Sequence, residues 1–196
     1  MTDLIEGPDG RKRCPWAESA DDYRDYHDRE WGRPVHGDTA LFERISLEAF
    51  QSGLSWLTIL RKREAFRRAF SRFQPAAVAA YDGADVDRLM DDAGIVRNRR
   101  KIEATITNAR ALIAMAEAGE SLDELVWAHA PDLEGRPEVL ADVPSATAES
   151  TALSKELKSR GFVFVGPTTM YAAMQACGLV DDHLAGCEVP GSGALH

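Results

Sequence analysis

Apolar residues recur at helical spacing through most of the chain, and the alternation typical of half-buried strands is not sustained. The clearest stripe lies in residues 39–52, where Leu41, Phe42 and Ile45 share one helix face. Similar stripes, caps and stop signals predict further helices over residues 19–31, 55–70, 85–93, 97–118, 121–130, 147–160 and 168–177. The expected fold class is therefore all-α.

The segment GFVFVGPTT, residues 161–169, joins the last two predicted helices. Gly161 is the residue type expected just past a helix end, and Thr168 is a good cap for the next helix. Because glycine permits conformations that are closed to other residues, Gly161 and Gly166 could turn amide groups toward a phosphate beside a helix start. The pattern indicates a hairpin that holds a nucleic-acid backbone. An ordinary turn with Phe162 in the core is the simpler alternative.

The length of 196 residues and the hydrophobic content of 44% fit one compact domain. Residues 1–13 are polar and contain Gly and Pro, so we interpret them as a flexible tail that becomes ordered only near Cys14. The domain is expected to span residues 14–187, followed by a C-terminal tail at 188–196. Without a long apolar run or a signal-peptide core, the chain is expected to be cytoplasmic, with no membrane partner.

The net charge of −9 argues against general attraction to nucleic acids. The basic residues are nevertheless clustered, at 61–68, at 97–101 and around Lys158, so a local positive surface is compatible with the composition. The 61–68 cluster is more simply the solvated face of a helix whose buried stripe includes Phe66 and Phe70.

One carboxylate occupies an unusual helical position. At the 3.6-residue period, Glu48 falls almost in line with Leu41 at the edge of the buried face, whereas Glu43 and Arg44 should point to solvent. An ion pair between Glu48 and Arg44 would explain this and would contribute only about 0.2 to 0.5 kcal/mol. Alternatively, Glu48 lines a cavity in which a cationic ligand offsets the cost of burying its charge.

Polar-tipped aromatic residues are concentrated near the start of the domain, at Trp16, Tyr23, Tyr26 and Trp31, although only 8% of the chain is aromatic. They form either a small satellite core or the wall of a pocket. Leu54, which follows Gly53 at a tight corner, has two interpretations as well. It is either a core residue or an apolar wedge of the kind that DNA-bending proteins insert between bases.

Two cysteines and two histidines near opposite ends of the chain form a Cys2His2 set: Cys14, His27, His183 and Cys187. Zinc takes four such ligands tetrahedrally, and a closed set leaves no position for substrate, so the site would be structural and would join both ends of the domain. Unpaired buried cysteines and surface histidines remain the alternative. Cys177 is more simply a packed helix residue.

Five segments together resemble the DNA-3-methyladenine glycosylase I family, and the resemblance runs from Cys14 to Cys187. In chain order they are CPW, DYHDREWG, LFERISLEAFQSGLSWLTILRKREAFR, DAGIVRNRRKIEATITNA and LSKELKSRGFVFVGPTTMYAAMQACGLVDDHLAGC. The resemblance implies the two-lobed helix-hairpin-helix DNA glycosylase fold, a lesion pocket between the lobes and one structural zinc held by the four residues above.

The resemblance also implies roles for individual residues. Glu48 and Tyr26 would hydrogen-bond the base, Trp56 would stack on it, and Tyr23, Trp16 and Trp31 would line or support the pocket. DNA would be contacted by the Leu54 wedge and by a larger set made up of Gly53, Lys158, Gly161, Val165, Gly166, Thr168 and Thr169. The family does not use the catalytic aspartate of its superfamily, so position alone assigns no role to Asp181 or Asp182.

The resulting hypothesis is a monomeric base-excision glycosylase that acts on alkylated double-stranded DNA and releases 3-methyladenine. Because no lysine stands out as a nucleophile, the enzyme should leave the strand uncut. A zinc-dependent base deaminase is disfavoured, since the H-x-E and P-C-x-x-C signatures are absent. A protein that binds damaged DNA without cleaving the glycosidic bond is the remaining alternative.

Overall fold

The computed structural model describes residues 3–132 and 135–189. In this part of the chain, the helices are α1 (Asp21–Arg29), α2 (Asp38–Gln51), α3 (Trp56–Ala69), α4 (Pro75–Ala79), α5 (Gly83–Asp91), α6 (Arg99–Glu117), α7 (Leu122–Trp127), α8 (Ala148–Ser159) and α9 (Pro167–Ala176). Short 3-10 turns cover Pro15–Ser19, Ser71–Phe73 and Leu140–Asp142. The prediction of a helical fold is confirmed.

Local capping explains why several helix starts could be predicted. The side chains of Ser55, Asn98 and Thr147 accept backbone N–H groups from the first turns of α3, α6 and α8. Gly161 follows the end of α8 with φ +91°, a left-handed conformation that glycine adopts without steric cost. These helix boundaries depend on residues that are adjacent in sequence, so the sequence alone can predict them.

The predicted N-cap of α9, Thr168, is wrong. Gly166 is the N-cap and Pro167 is the first helical residue, so Thr168 lies inside the helix rather than capping it. Proline suits this position because its missing N–H would have had no intrahelical partner. Similarly, α7 ends at Trp127 and does not reach Ala130.

The N-terminal segment differs from the irregular tail that was expected. Ile5–Glu6 (β1) pairs antiparallel with Lys12–Arg13 (β2). Arg13 is buried and forms ion pairs with Asp9 and Asp28 at 2.7 and 2.8 Å. Polar composition therefore did not prevent order, because long-range ion pairs anchor the segment. At the other end Glu188 is exposed and Val189 is buried, while residues 190–196 of the predicted C-terminal tail and residues 1–2 lie outside the described residues.

Helix α2 runs through the middle of the molecule and contacts α3, α6, α7 and α9. Phenylalanines continue the core: the tilted rings of Phe50 and Phe66 are 4.6 Å apart, centre to centre, and the stacked rings of Phe70 and Phe73 are 5.5 Å apart. Helices α8 and α9 pack against each other. Within residues 3–132 and 135–189, none of the helices combines the length and apolarity that a bilayer crossing would need. This packing places one face of α2 against α9, where the principal cavity opens.

Candidate active site and metal centre

A cavity of about 240 Å³ opens among α1, α2, α3 and α9. Its lining includes all six residues predicted for a pocket, namely Trp16, Tyr23, Tyr26, Trp31, Glu48 and Trp56. Six further residues that the sequence analysis did not predict complete the lining, namely Gln51, Leu140, Val143, Ala172, Gln175 and Asp182. The predicted residues therefore form the wall of a cavity rather than a closed satellite core.

The aromatic residues pack against one another around this cavity. Trp16 lies 4.8 Å from Tyr23 and 5.0 Å from Trp31, ring centre to ring centre. Tyr26 lies 5.5 Å from Trp56. Offset and tilted contacts of this kind are favourable and fix the rings in place. The site thus offers flat apolar surfaces of fixed orientation, which suit a planar heterocycle.

Glu48 is the carboxyl group of the cavity and is only 5% exposed. Burial raises its pKa to about 8, and the charge of Arg44 opposes this rise. Arg44 forms its ion pair with Glu30, at 3.2 Å, so the simple explanation of a surface pair between Arg44 and Glu48 is wrong. A positive ligand in the cavity would stabilise the ionised form of Glu48.

The expectation that Glu43 and Arg44 point into solvent is also wrong. Their side chains are only 14% and 13% exposed, because Arg67 pairs with Glu43 and Glu30 pairs with Arg44. Arg67 lies 24 residues from Glu43 and Glu30 lies 14 residues from Arg44 in sequence, so the helical period of α2 could not reveal these partners.

Asp182 borders the cavity in a fixed orientation. Its Oδ2 atom accepts hydrogen bonds from Tyr171 Oη at 2.6 Å and Gln175 Nε2 at 2.7 Å. Asp181 instead pairs with Arg136 at 3.0 Å. The two adjacent aspartates thus have different surroundings, and Asp182 alone of the pair lies at the wall of the main cavity. Only the folded chain distinguishes them.

A second cavity of about 300 Å³ adjoins the first and shares Glu48 with it. Its wall brings together Gly53, Leu54, Thr168 and Thr169, which the resemblance had assigned to DNA contact. The Leu54 side chain is 43% exposed, so the interpretation as a core residue is wrong. This cavity separates the corner after α2 from the start of α9.

The segment between α8 and α9 has buried and exposed sides. Phe162 and Val165 are buried, whereas Val163 is 40% exposed. The Val165 side chain therefore lies in the core, and only backbone groups of this residue can reach a ligand. A Cβ atom added at Gly166 would meet no heavy atom within 4 Å among the described residues. The segment accordingly presents open backbone at its outer side.

The basic clusters at 61–68 and 97–101 differ in how their side chains are paired and buried. In the 61–68 cluster, Arg61, Arg63 and Arg67 pair with Asp22, Glu30 and Glu43. Three of its basic residues are therefore neutralised locally, in agreement with its interpretation as an ordinary helix face. In the 97–101 cluster, Lys101 is buried.

The four predicted metal ligands converge. One donor atom from each of Cys14, His27, His183 and Cys187 lies within 4.8 Å of all the others, and all four residues are buried. His183 Nδ1 is 3.2 Å from His27 Nε2, and Cys187 Sγ is 3.7 Å from each of these nitrogens. Tetrahedral zinc with these ligands requires separations of about 3.3 to 3.8 Å. The donors of His27, His183 and Cys187 lie at or close to these separations and Cys14 Sγ lies within 4.8 Å of them, so the donor set fits a zinc site.

The groups that contact the four candidate ligands also fit a metal centre. His27 Nδ1 lies 2.9 Å from Asp28 Oδ1, which leaves Nε2 facing the cluster. Hydrogen bonds from Cys14, His183 and His27 lower the pKa of the Cys187 thiol and so favour its thiolate form. All four ligands come from protein side chains, and the arrangement is suited to a closed structural site.

Comparison with known proteins agrees with this geometry. Residues 16–190 match the model of the methyladenine glycosylase family. DNA-3-methyladenine glycosylase 1 of Escherichia coli is 49% identical over 179 residues, which cover 90% of this chain and 95% of that protein.

Two solved structures extend the agreement to three dimensions. A crystal structure of 3-methyladenine DNA glycosylase I superposes with a TM-score of 0.87 at 47% identity, covering 90% of this chain and 98% of the other. A Staphylococcus aureus structure that concerns 3-methyladenine recognition gives a TM-score of 0.83 at 38% identity, covering 88% of this chain and 93% of the other.

The helical fold is thus shared with solved structures of 3-methyladenine DNA glycosylase I. The chain belongs to the methyladenine glycosylase family.

Proposed function

We propose that this protein is a base-excision repair glycosylase that hydrolyses the N-glycosidic bond of 3-methyladenine in alkylated duplex DNA. The observation that carries the proposal is the position of Glu48, buried beside Tyr26 and Trp56 in a cavity with room for a base. Family membership supports the same reaction.

The base must leave the duplex before it can enter such a cavity. Extrusion costs a few kcal/mol and costs less for a damaged base, so flipping itself favours lesions. Leu54, exposed beside the second cavity, would fill the gap in the stack. The hairpin 161–169, Gly53 and Lys158 would hold the strand, with Thr168 and Thr169 facing it from α9.

Charge provides the discrimination. A 3-methyladenine nucleoside is cationic, so its bond to the sugar is already weak and the departing base needs no added proton. The Trp56 face attracts a cationic ring by about 0.5 to 2 kcal/mol. Glu48 adds a charge-assisted hydrogen bond, and the cation in turn favours the ionised carboxylate. Neutral adenine gains neither interaction in full.

The reaction would be monofunctional. Within residues 3–132 and 135–189, no lysine lines the main cavity, so an imine with the sugar has no evident amine donor. Water would attack the sugar carbon, and the abasic strand would remain intact.

We further propose that α8, the 160–166 segment and α9 form a helix-hairpin-helix unit in a two-lobed, monomeric glycosylase that acts in the cytoplasm. One zinc would be held by Cys14, His27, His183 and Cys187. When bound, it would supply structural cross-linking of the two ends of the domain rather than chemistry at the base.

An assay for free 3-methyladenine from alkylated duplex DNA tests the function. The wild-type protein should release the base, and Glu48→Gln should release it at least about 100-fold more slowly with nearly unchanged duplex affinity. Glu43→Gln, on the same helix but paired with Arg67 outside the cavity, is the matched control. Binding of damaged DNA without base release by the wild type would favour a non-catalytic binding protein.

A further inference from the structure

Two loops beside the cavities are held by buried polar side chains of α6. Lys101 Nζ donates to Phe50 O at 2.8 Å and to Ser52 O at 2.6 Å, at the end of α2. Asn108 Oδ1 accepts from Val163 N at 2.8 Å, and its Nδ2 donates to Val163 O at 3.0 Å. Both side chains are buried. Each loop is therefore tied to the same helix.

The two residues lie on one side of α6. They are seven positions apart, which is nearly two helical turns and about 10.5 Å along the axis. Burying an ammonium or an amide is costly unless it is hydrogen-bonded. Lys101 and Asn108 meet this requirement through backbone groups outside α6, so each residue contributes by fixing a loop.

Each tied loop presents an exposed apolar side chain. Leu54 follows the Ser52 carbonyl by two residues and is 43% exposed, while Val163 is held directly and is 40% exposed. Most large apolar side chains in the described part of the chain are buried. The helix thus supports two protruding apolar side chains at a fixed spacing.

The hairpin conformation also depends on this support. Phe164 has φ +57°, a left-handed conformation that is uncommon for a bulky residue. Ser154 Oγ donates to Val165 O at 2.6 Å, and the Arg100 guanidinium lies 5.9 Å from the Phe164 ring centre. A strained conformation persists only when its surroundings fix it. Contacts from α6 and α8 therefore impose the shape of the hairpin.

We propose that Lys101 and Asn108 are positioning residues that set the separation between the loop 52–55 and the hairpin 160–166, so that both contact one duplex at once. The proposal rests on the proposed function, since it assigns DNA to these loops. Once one loop is bound, correct spacing makes the second contact intramolecular and raises its effective concentration. Neither residue touches the base.

The test compares Lys101→Met, Asn108→Leu and the double variant with Leu112→Ala, which alters a buried residue of the same helix. Affinity for a duplex containing an abasic analogue, KM and kcat for 3-methyladenine release, and binding of free 3-methyladenine are measured. For each loop variant we expect Kd and KM to rise about tenfold, because one clamp is lost. Binding of the free base and kcat should stay within about twofold.

Conservative variants protect the test against misfolding. Lys101→Arg keeps a charged donor and should restore most of the affinity, whereas Asn108→Asp keeps the acceptor for Val163 N–H but loses the donor to Val163 O. Asn108→Leu should also speed hydrogen exchange at the Val163 amide by about tenfold or more. If the apolar variants do not fold, the duplex affinities of Lys101→Arg and Asn108→Asp provide the same comparison.

The double variant tests the common spacing. If either substitution alone is enough to lose the correct separation of the two loops, the second substitution has little left to remove. The fold-loss of affinity in the double variant should then be smaller than the product of the two single fold-losses. A full product, unchanged Kd in both variants, or an equal loss of free-base binding would overturn the proposal. So would the same loss of affinity in Leu112→Ala. A wild type that releases no base contradicts the proposed function instead, while the affinity measurements still test the spacing.

Discussion

The aromatic cavity and the Cys/His cluster are adjacent buried polar regions, but they differ in how their polar groups are satisfied. In the cluster, His27, His183 and Cys187 have donor atoms 3.2 to 3.7 Å apart. In the cavity, burial is the main influence on the pKa of Glu48, and the charge of Arg44 opposes it.

This difference indicates that the Cys/His cluster serves stability and the aromatic cavity serves ligand recognition. A buried polar set whose members satisfy one another, or share a metal, can stabilise the fold. A buried carboxyl group without a donor costs stability, and it persists where a ligand completes it. The same protein therefore contains a closed site that should affect folding and an open site that should affect chemistry.

The largest expected effect comes from removing a ligand or the metal from the Cys/His cluster. Cys14→Ser, or removal of metal by a chelator, should lower the free energy of unfolding by about 3 to 5 kcal/mol. Metal analysis should find one zinc per wild-type chain, and denaturant unfolding measures the loss. Cys177→Ala, which alters a buried thiol outside the cluster, is the control. Folded wild-type protein without metal would contradict the assignment.

The second prediction concerns the open site. Glu48→Gln should reduce kcat/KM for 3-methyladenine release by at least about 100-fold, or roughly 3 kcal/mol, because the cationic base loses its negative partner. Unlike Cys14→Ser, it should not lower stability. Release kinetics and unfolding are measured on the same samples. Full activity would remove Glu48 from its assigned role.

The third prediction concerns pH. Burial raises the pKa of Glu48 from 4.5 to about 8. Between these values the unfolded chain loses the proton that the folded chain keeps, so this group makes stability fall as pH rises. At pH 7 Glu48→Gln should therefore stabilise the protein by about 3 kcal/mol.

Unfolding of both proteins between pH 6 and pH 8 checks this expectation. The advantage of the variant should grow by about 1.4 kcal/mol per pH unit and level off as the folded carboxyl ionises near pH 8. A constant difference would show that Glu48 is already ionised in the fold.

The smallest expected effect lies outside both sites. Gly166→Leu should weaken duplex binding about tenfold by blocking approach to the hairpin. The effect on stability should be small, because a Cβ atom added at Gly166 meets no heavy atom within 4 Å among the described residues. Gly83→Leu, at an equally open position on α5, is the control. Equal duplex affinity in both variants would make the hairpin a turn without a DNA role.

The sequence was sufficient where the causes are local or chemically distinctive. Helical periodicity placed α2 and Glu48, the break at Gly53 placed the start of α3, and the cap Thr147 placed α8. The four metal-ligand candidates could be selected by residue type alone. Their convergence required the fold, and the structure confirms it.

Long-range contacts explain what was not predicted. Arg44 is half-buried because Glu30 comes from another element, and Asp182 reaches the cavity because Gln175 and Tyr171 hold it. The burial of Lys101 had no signal in a run of basic residues that resembles a surface helix start. The partners lie in other elements, 7 and 11 residues from Asp182, 14 from Arg44 and 49 and 51 from Lys101, and the periodicity of a single helix does not encode such contacts.

Tyr26 and His27 are consecutive residues of α1, yet one borders the cavity and the other lies in the Cys/His cluster. Successive helical residues are separated by about 100° of rotation, so the cluster fixes the rotational setting of α1 and thereby aims Tyr26. Inserting one residue between Cys14 and Tyr23 would misalign both regions together.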